Sequence, residues 1–421
     1  MEITTRIKNW VARQLILSGF INVETIEWDN FLRKTSSGVH VTPNTALRNS
    51  AVLRAVILLS ETIAQVPLGI FNKFTKKVYT DIPLARVLAL SPNRYMSSFD
   101  LRTALMTNLL TRGNCFAEIE RNGRGQVIGL YPLDTDKMSL MIDKKGEIWY
   151  KYSYFSGEME KGEVIFKNHE LLHVKWLHSD GLWGKSAIQL AREAVGLSLA
   201  AEDYGATFFG SGGKPDSVLT TDVKLKDTTI EKLKQQWAER RDKTLILEEG
   251  LKYQSISLPP EDSQFIETRK FQIAEIARLF GVPPHMLGDL ERATFSNIEH
   301  QNINFVIYSA MPWMRRFEQE MERKLLSEKE QQEYSIRFRV DGLLRGDTES
   351  RYKAYSTGRH AGFLSTNDIR EKEDLPSIEG GDEYNAPLNT IPTSLEIEYW
   401  QARINALQEK GGGDAEGGTD N

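Results

Sequence analysis

The sequence predicts an α+β fold assembled from several unlike pieces, and three observations predict it. Apolar residues recur at helical spacing in some stretches and alternate at period two in others. An insert of about fifty residues, 211–260, lies between two amphipathic helical stretches and is long enough for a small module of its own. A long helical run over 298–326 carries an internal proline, Pro312.

At 421 residues the chain has room for two or three domains, since a domain averages roughly 100–200 residues. Hydrophobic residues make up 40% and charged residues 26%, the balance of a globular body. The formal net charge of −5 argues against a tight DNA-binding protein, which presents a basic face to phosphates. No helix-turn-helix or zinc module is recognisable, which weighs against a sequence-specific regulator. Cys115 is the only cysteine, so an intrachain disulfide and a thiolate zinc cluster are excluded and a cytoplasmic setting is expected. The chain opens without a basic-then-apolar signal sequence. Its most apolar stretch, 51–59, contains Arg54 and is too short to cross a bilayer, so no membrane role is expected.

The first helix is expected over 46–65, where Val52, Val56, Leu59 and Ile63 share a face. Pro67 ends it, and 66–71 with Val78-Tyr79 reads as strand around the basic turn Lys76-Lys77. Asp100 is the expected N-cap of a second helix bearing Leu101, Leu105 and Leu109, which stops at Gly113. Strands at 115–120 and 126–128 flank Asn122-Gly123, a hairpin signal in which both turn residues take positive φ. Further strands are expected at 148–155 and 164–176.

Helix resumes over 184–210, with Ile188, Ala191, Val195, Leu199 and Tyr204 offering a stripe and the glycines from Gly210 ending it. Within the insert, 217–220, 243–247 and 253–258 read as strands, and Thr228 with Glu231 as the capping box of a helix bearing Ile230, Leu233 and Trp237. A helix from about Asp262 carries Phe265, Ile266, Ile273, Ile276 and Phe280, with Gly281 as its cap and Pro283-Pro284 as its stop. After an irregular link at 285–295, Ser296 and Glu299 form a capping box opening the long helix. Pro312 predicts a kink over 308–313. One strand at 335–340, short helices at 350–360 and 366–373 and a last helix at 395–408 follow. The glycine-rich acidic end, 411–421, reads as disordered.

One stretch argues for catalysis. His169-Glu170-Leu171-Leu172-His173 matches the H-E-x-x-H pattern of zinc peptidases, in which two histidines a helical turn apart hold zinc and the glutamate activates water. Glu193 lies downstream as a conceivable third ligand. The pattern needs a helix, however, and its flanks alternate as strand; side chains four apart on a strand are too widely spaced to chelate one ion. Trp176 and Ser179 also stand where the metzincin pattern needs glycine and histidine. His173 therefore reads as a strand residue with a satisfied side chain, and the metallopeptidase is the lesser alternative. The glycine clusters 210–213 and 411–413 lack the lysine-serine/threonine ending of a phosphate loop, so no nucleotide or other cofactor is expected. Arg240-Arg241 suits the end of a helix as well as any ligand.

Several stretches together resemble the portal proteins of the HK97-type tailed-bacteriophage family. They are Gly113-Asn114-Cys115-Phe116-Ala117-Glu118-Ile119-Glu120-Arg121 with Leu130-Tyr131-Pro132-Leu133; His173-Val174 with Gly184-Lys185-Ser186-Ala187-Ile188; Leu247-Glu248-Glu249-Gly250; Glu267-Thr268-Arg269; Val282-Pro283-Pro284-His285-Met286-Leu287-Gly288; Ala293-Thr294-Phe295-Ser296-Asn297; and Asp341-Gly342-Leu343-Leu344-Arg345-Gly346-Asp347. Each is weak alone, but their order and spacing span residues 46–386.

The resemblance implies a multidomain ring subunit and not an enzyme. Residues 1–187 would form an α+β wing, 188–210 and 261–282 the paired stem helices, and 211–260 the clip. Residues 283–297 would form the tunnel loop, 298–326 the long kinked helix, 327–391 a C-terminal wing or crown part, and 392–421 a short helix and acidic tail. A dodecameric ring of such subunits at one capsid vertex of the virion, assembled in the host cytoplasm, would pass double-stranded DNA during packaging and ejection. Its implied partners are the large terminase subunit, the major capsid protein and scaffold, and a head-tail adaptor. The tunnel loop supplies the candidate site, Gly288, Asp289, Leu290, Glu291, Arg292, Ala293, Thr294, Phe295, Ser296 and Asn297. There Arg292 would touch phosphates, Asp289 and Glu291 would limit that contact, and Thr294 and Phe295 would form a collar. The alternative is that Arg292 pairs with Glu291 or Asp289 on a solvated loop. An acidic chain suits a conduit, because strong phosphate contacts would hold the duplex still.

Overall fold

The computed structural model describes residues 21–23, 34–156, 160–178, 180–210, 217–221, 228–231, 252–255, 262–289, 295–343, 348–373, 375–384 and 396–411. The chain divides into two compact units, Met1–Leu344 and Arg345–Asn421.

The first unit begins its described structure with a short strand β1 (Ile21–Val23), a single turn α1 (Pro43–Ala46) and the helix α2 (Ser50–Gln65). Asn49 caps α2 by accepting the amide of Val52 at 3.1 Å, and Val52, Val56, Leu59 and Ile63 are buried as their spacing requires. The strand β2 (Leu68–Asn72) and a short helix α3 (Pro83–Ala89) lead to α4 (Ser98–Arg112). The cap of α4 is Ser97, not Asp100. Asp100 is the third residue inside, and it closes a capping box by accepting the Ser97 amide at 3.1 Å. Gly113 ends α4 in the left-handed region, φ 76°, as expected.

The strands that follow are antiparallel. β3 (Asn114–Arg121) lies between β4 (Val127–Leu133) and β8 (Leu171–Lys175). β5 (Met138–Ile142), β6 (Ile148–Ser156) and β7 (Glu160–Lys167) form a second sheet with β1 at its edge. The β3–β4 hairpin is present, but its turn runs over residues 122–126, longer than the two-residue loop that the asparagine-glycine signal implies. Asn122 accepts the amides of Arg124 and Gln126, and the positive φ falls on Gly125.

The expected helix over 184–210 is two pieces, α5 (Ala187–Leu190) and α6 (Arg192–Gly210), because Ala191 leaves the helical region at φ −105°, ψ 34°. In the insert, β9 (Ser217–Thr220) pairs with β10 (Lys252–Ser255). Residues 228–231 are helical, which puts Thr228 inside the helix and not at its cap. The expected strand at 243–247, Trp237 and Arg240-Arg241 lie outside the described residues. Helix α7 (Asp262–Phe280) follows. The long run is α8 (Phe295–Asn304), a π-helical turn Phe305–Ala310 and α9 (Met311–Leu325). The interruption falls where Pro312 predicted one: a ring without N–H cannot continue the α register, and a wider turn before it absorbs the mismatch.

The segment 327–391 is not one piece. Helix α10 (Glu328–Glu333) and strand β11 (Tyr334–Phe338) belong to the first unit, where β11 pairs with β2 in the register Ile336↔Ile70. The second unit contains α11 (Thr348–His360), α12 (Thr366–Lys372) and α13 (Glu396–Gly411). The acidic end after Gly411 lies outside the described residues. One core joins α2, α4, β3, α7 and α9, and a smaller one gathers Phe116, Met138, Leu140, Tyr150, Phe166 and Leu171.

Candidate channel loop and histidine motif

The H-E-x-x-H stretch does not sit on a helix. His169 and Glu170 fall in a 3₁₀ turn, Asn168–Glu170, and His173 lies in β8. His169 is exposed, Glu170 accepts the Lys167 amide at 2.8 Å, and His173 is buried at 2% exposure. Among the described residues no group of three or more His, Cys, Asp or Glu side chains could hold a metal ion.

His173 instead anchors two sheets. Its ring stacks on Phe116 with centroids 4.2 Å apart and bonds Asn114 Oδ1 through Nε2 and the Tyr150 hydroxyl through Nδ1, each at 3.0 Å. The tautomer follows from Asn114, whose Nδ2 donates to the Gly184 carbonyl while its Oδ1 accepts the Gly184 amide, both at 2.8 Å. That oxygen is an acceptor, so Nε2 carries the proton and Nδ1 accepts from Tyr150. Burial, then the positive charges of Lys175, Lys324 and Arg323, holds the imidazole well below the usual histidine range. The ring is a neutral structural tie with no free lone pair for a metal.

The same place explains two of the glycine positions. Gly113 and Gly184 meet backbone to backbone: a Cβ on Gly113 would lie 2.5 Å from the Lys185 carbonyl carbon. Trp176 donates its amide to the Gly113 carbonyl at 2.8 Å. Only glycine fits both the left-handed φ and the approach.

The candidate loop begins on a well-tied base. At the end of α7, Gly281 takes φ 66° and Val282, itself buried, donates to the Ala277 carbonyl at 2.8 Å. A 3₁₀ turn, Pro284–Leu287, follows and ends at Gly288 with φ 97°. His285 contacts Gln301 Oε1 at 2.8 Å and Asn302 Oδ1 at 3.1 Å, which ties the base to α8, while Arg54 donates to the Met286 carbonyl at 3.4 Å from α2. Asp289 donates its amide to the Pro284 carbonyl at 3.1 Å. Of the candidate residues, Gly288 and Asp289 are on this base, and Leu290, Glu291, Arg292, Ala293 and Thr294 lie outside the described residues. Phe295, Ser296 and Asn297 belong to the first turn of α8, so Phe295 is not in the irregular link and Ser296 lies inside the helix and not at its cap. Serine and asparagine occur inside first turns as well as ahead of them, so a cap-type residue does not fix the boundary.

Helices α6 and α7 run antiparallel. Arg269 reaches Glu202 at 3.6 Å, and Glu193 and Glu275 line one cleft, so positions rise along one helix as they fall along the other. Burial pushes the Glu202 carboxyl up, against the pull of Arg269 and Asn49; Asn49 Nδ2 donates to it at 3.0 Å. Val195 and Leu199 are buried as expected, but Tyr204 is 46% exposed. It lies about 140° round the helix from Leu199 at roughly 100° per residue, so it belongs to a different stripe, with Leu197, 50% exposed. The seven-residue spacing of Leu197 and Tyr204 was the available sequence signal for a second apolar face. The Asn114–His173–Tyr150 tie had no such signal, because it joins three strands.

A family model described as phage portal protein matches residues 50–374. The chain is 34% identical over 348 residues to the portal protein of Enterobacteria phage HK97, covering 80% of this chain and 81% of that one. It is 32% identical over 376 residues to the probable portal protein of Streptomyces phage phiC31, covering 84% and 81%. Among solved structures, an HK97 family phage portal protein from Corynebacterium diphtheriae matches with a TM-score of 0.55 at 19% identity, over 72% of this chain and 97% of that one. The neck of a native gene transfer agent particle computed with C12 symmetry matches with a TM-score of 0.52 at 22% identity, over 80% and 94%. At such identities the structural likenesses show the fold.

Proposed function

Because this chain belongs to the phage portal protein family, we propose that copies of it close into a ring at one capsid vertex, through which double-stranded DNA is packaged and ejected. The observation that carries the reading is the 34% identity to the HK97 portal protein over 80% of this chain. A neck with C12 symmetry among the fold neighbours favours twelve copies. The role is mechanical: a heterologous interface that closes on rotation makes a ring, and its hole passes the duplex.

In this reading α6 and α7 are the stem, the insert bearing β9 and β10 is the clip, and residues 283–297 are the tunnel loop, whose part from Gly288 to Asn297 meets DNA as a unit. The tied base at Pro284–Leu287 supports this by fixing where the loop leaves the body. The large terminase subunit, the major capsid protein with its scaffold and a head-tail adaptor are the proposed partners. Virion localisation follows, after assembly in the host cytoplasm. Among the described residues no helix is long and apolar enough to cross a membrane.

End-on electron microscopy of the purified chain tests this. Rings with a central hole are expected. A single-copy species that persists at high concentration and beside the capsid protein and scaffold would refute it.

A further inference from the structure

We infer that the cleft between α9 and β11 of the first unit takes an acidic peptide segment of a partner protein, which lies along the open edge of β11 and sets a carboxylate against Arg337 and Ser335. The site lies within one copy of the chain and stands apart from the ring reading above.

The open edge follows from the register. Strand β11 pairs with β2 in a two-stranded sheet. The bonds that flank this ladder run from the Lys73 amide to the Glu333 carbonyl and from the Arg339 amide to the Pro67 carbonyl. In an antiparallel pair the main-chain groups of successive residues turn to opposite sides, so Tyr334, Ile336 and Phe338 turn theirs away from β2. Phe338 gives its amide to Glu318 at 2.7 Å, and Tyr334 gives its own to the Glu330 carbonyl. Among the described residues, Ile336 is left with an amide and a carbonyl on the open edge. There the strand lines the cleft together with Arg315, Glu318, Gln319 and Glu322, whose spacing places them on one face of α9.

This edge already binds one carboxylate. Glu318 accepts the Phe338 amide through Oε1 and pairs with Arg315 through Oε2 at 2.8 Å, which sets a strand amide and a guanidinium on one anion. The same two groups recur about 7 Å along the strand, as the Ile336 amide and the guanidinium of Arg337. Arg337 is exposed and, among the described residues, makes no hydrogen bond or ion pair. Ser335, two residues earlier on the same face, is 2% exposed and lines the cleft, and its Oγ has no hydrogen-bond partner among the described residues. The remaining cations are matched, Lys73 by Glu322 at 2.9 Å and Arg323 by Glu320 at 2.8 Å. One unmatched guanidinium and one buried hydroxyl remain, and an incoming carboxylate satisfies both. A peptide suits the cleft better than a nucleic-acid backbone does. The cleft holds about 410 Å³, room for a few side chains, and the carboxylates of Glu318 and Glu322 on its wall repel a run of phosphates. An extended segment also brings the main-chain donor and acceptor that meet those of Ile336.

Fluorescence anisotropy on the full-length chain tests the cleft with a labelled synthetic peptide in which glutamate alternates with valine, and with its counterpart carrying glutamine in place of glutamate. The acidic peptide should bind saturably and the counterpart at least tenfold more weakly. Arg337→Gln and Ser335→Ala should each weaken the acidic peptide at least fivefold, with thermal midpoints like the parent's, because neither side chain has a described partner to lose. Lys144→Gln removes an exposed cation from the β5–β6 turn and should leave binding unchanged, which separates the cleft from general attraction between opposite charges. Hydrogen exchange at the Ile336 amide should slow when the acidic peptide is bound. A parent chain without saturable binding, equal binding of the two peptides, an Arg337→Gln variant that binds like the parent, or an unchanged exchange rate at Ile336 overturns the inference and leaves the ring reading intact. Displacement of the acidic peptide by an unlabelled DNA duplex overturns the peptide as occupant.

Discussion

Replacing His173 with leucine isolates the tie between the sheets. Leucine fills most of the space of the ring, so the main loss is polar. The Tyr150 hydroxyl keeps no acceptor, whereas Asn114 Oδ1 retains the Gly184 amide at 2.8 Å. One buried donor without a partner costs about 1–3 kcal/mol, and loss of the stack on Phe116 about 0.5–1.5 kcal/mol. His173→Leu should therefore destabilise the first unit by about 2–4 kcal/mol in urea unfolding near pH 7.5. Adding Tyr150→Phe removes the orphaned hydroxyl and should return about 1–3 kcal/mol of that.

The pH dependence gives the same substitution a second signature. The folded ring stays neutral because its proton affinity is pushed well below the ordinary histidine value, while the unfolded chain takes up a proton near pH 6.5. Its contribution to stability is complete above that pH. As pH falls below it, the unfolded state binds the extra proton and stability drops by about 1.4 kcal/mol per pH unit. The leucine variant lacks this drop. The gap between parent and variant should therefore be about 1.4 kcal/mol smaller at pH 5.5 than at pH 7.5. An unchanged gap would refute a neutral buried ring, and a double variant no more stable than His173→Leu would refute the hydrogen bond to Tyr150.

Arg102 is buried without a carboxylate partner among the described contacts, donating to the Val66 carbonyl at the end of α2 and to the Ser98 carbonyl; burial holds its guanidinium down to about 10. Arg102→Met should cost about 1–3 kcal/mol by leaving that helix end without its donor, read as a lower thermal midpoint. Gly113→Ala combines a left-handed φ with collision against the Lys185 backbone and should cost about 3 kcal/mol or more, seen as loss of soluble folded protein. Gly146→Ala has a similar φ but open space around it and should cost only about 1 kcal/mol. Glu318 accepts the buried Phe338 amide at 2.7 Å. Glu318→Ala should then cost about 1–3 kcal/mol and speed hydrogen exchange at that amide, while Glu318→Gln, which keeps an acceptor, should cost less than half as much.

Much of this fold is legible locally. The faces of α2 and α4, the stop at Gly113, the β3–β4 hairpin and the interruption near Pro312 each follow from a few neighbouring residues. What was illegible depends on contacts distant in sequence. The strand at 334–338 belongs with the first unit because β2 pairs with it, and nothing in residues 327–391 alone states that. Asp100 looked like a cap because aspartate is a good one; only Ser97, three residues earlier, decides which residue closes the box. The candidate loop was half legible. Its base follows from Pro283-Pro284 and the glycines, but the helix begins at Phe295, one residue ahead of the cap that Ser296 suggests.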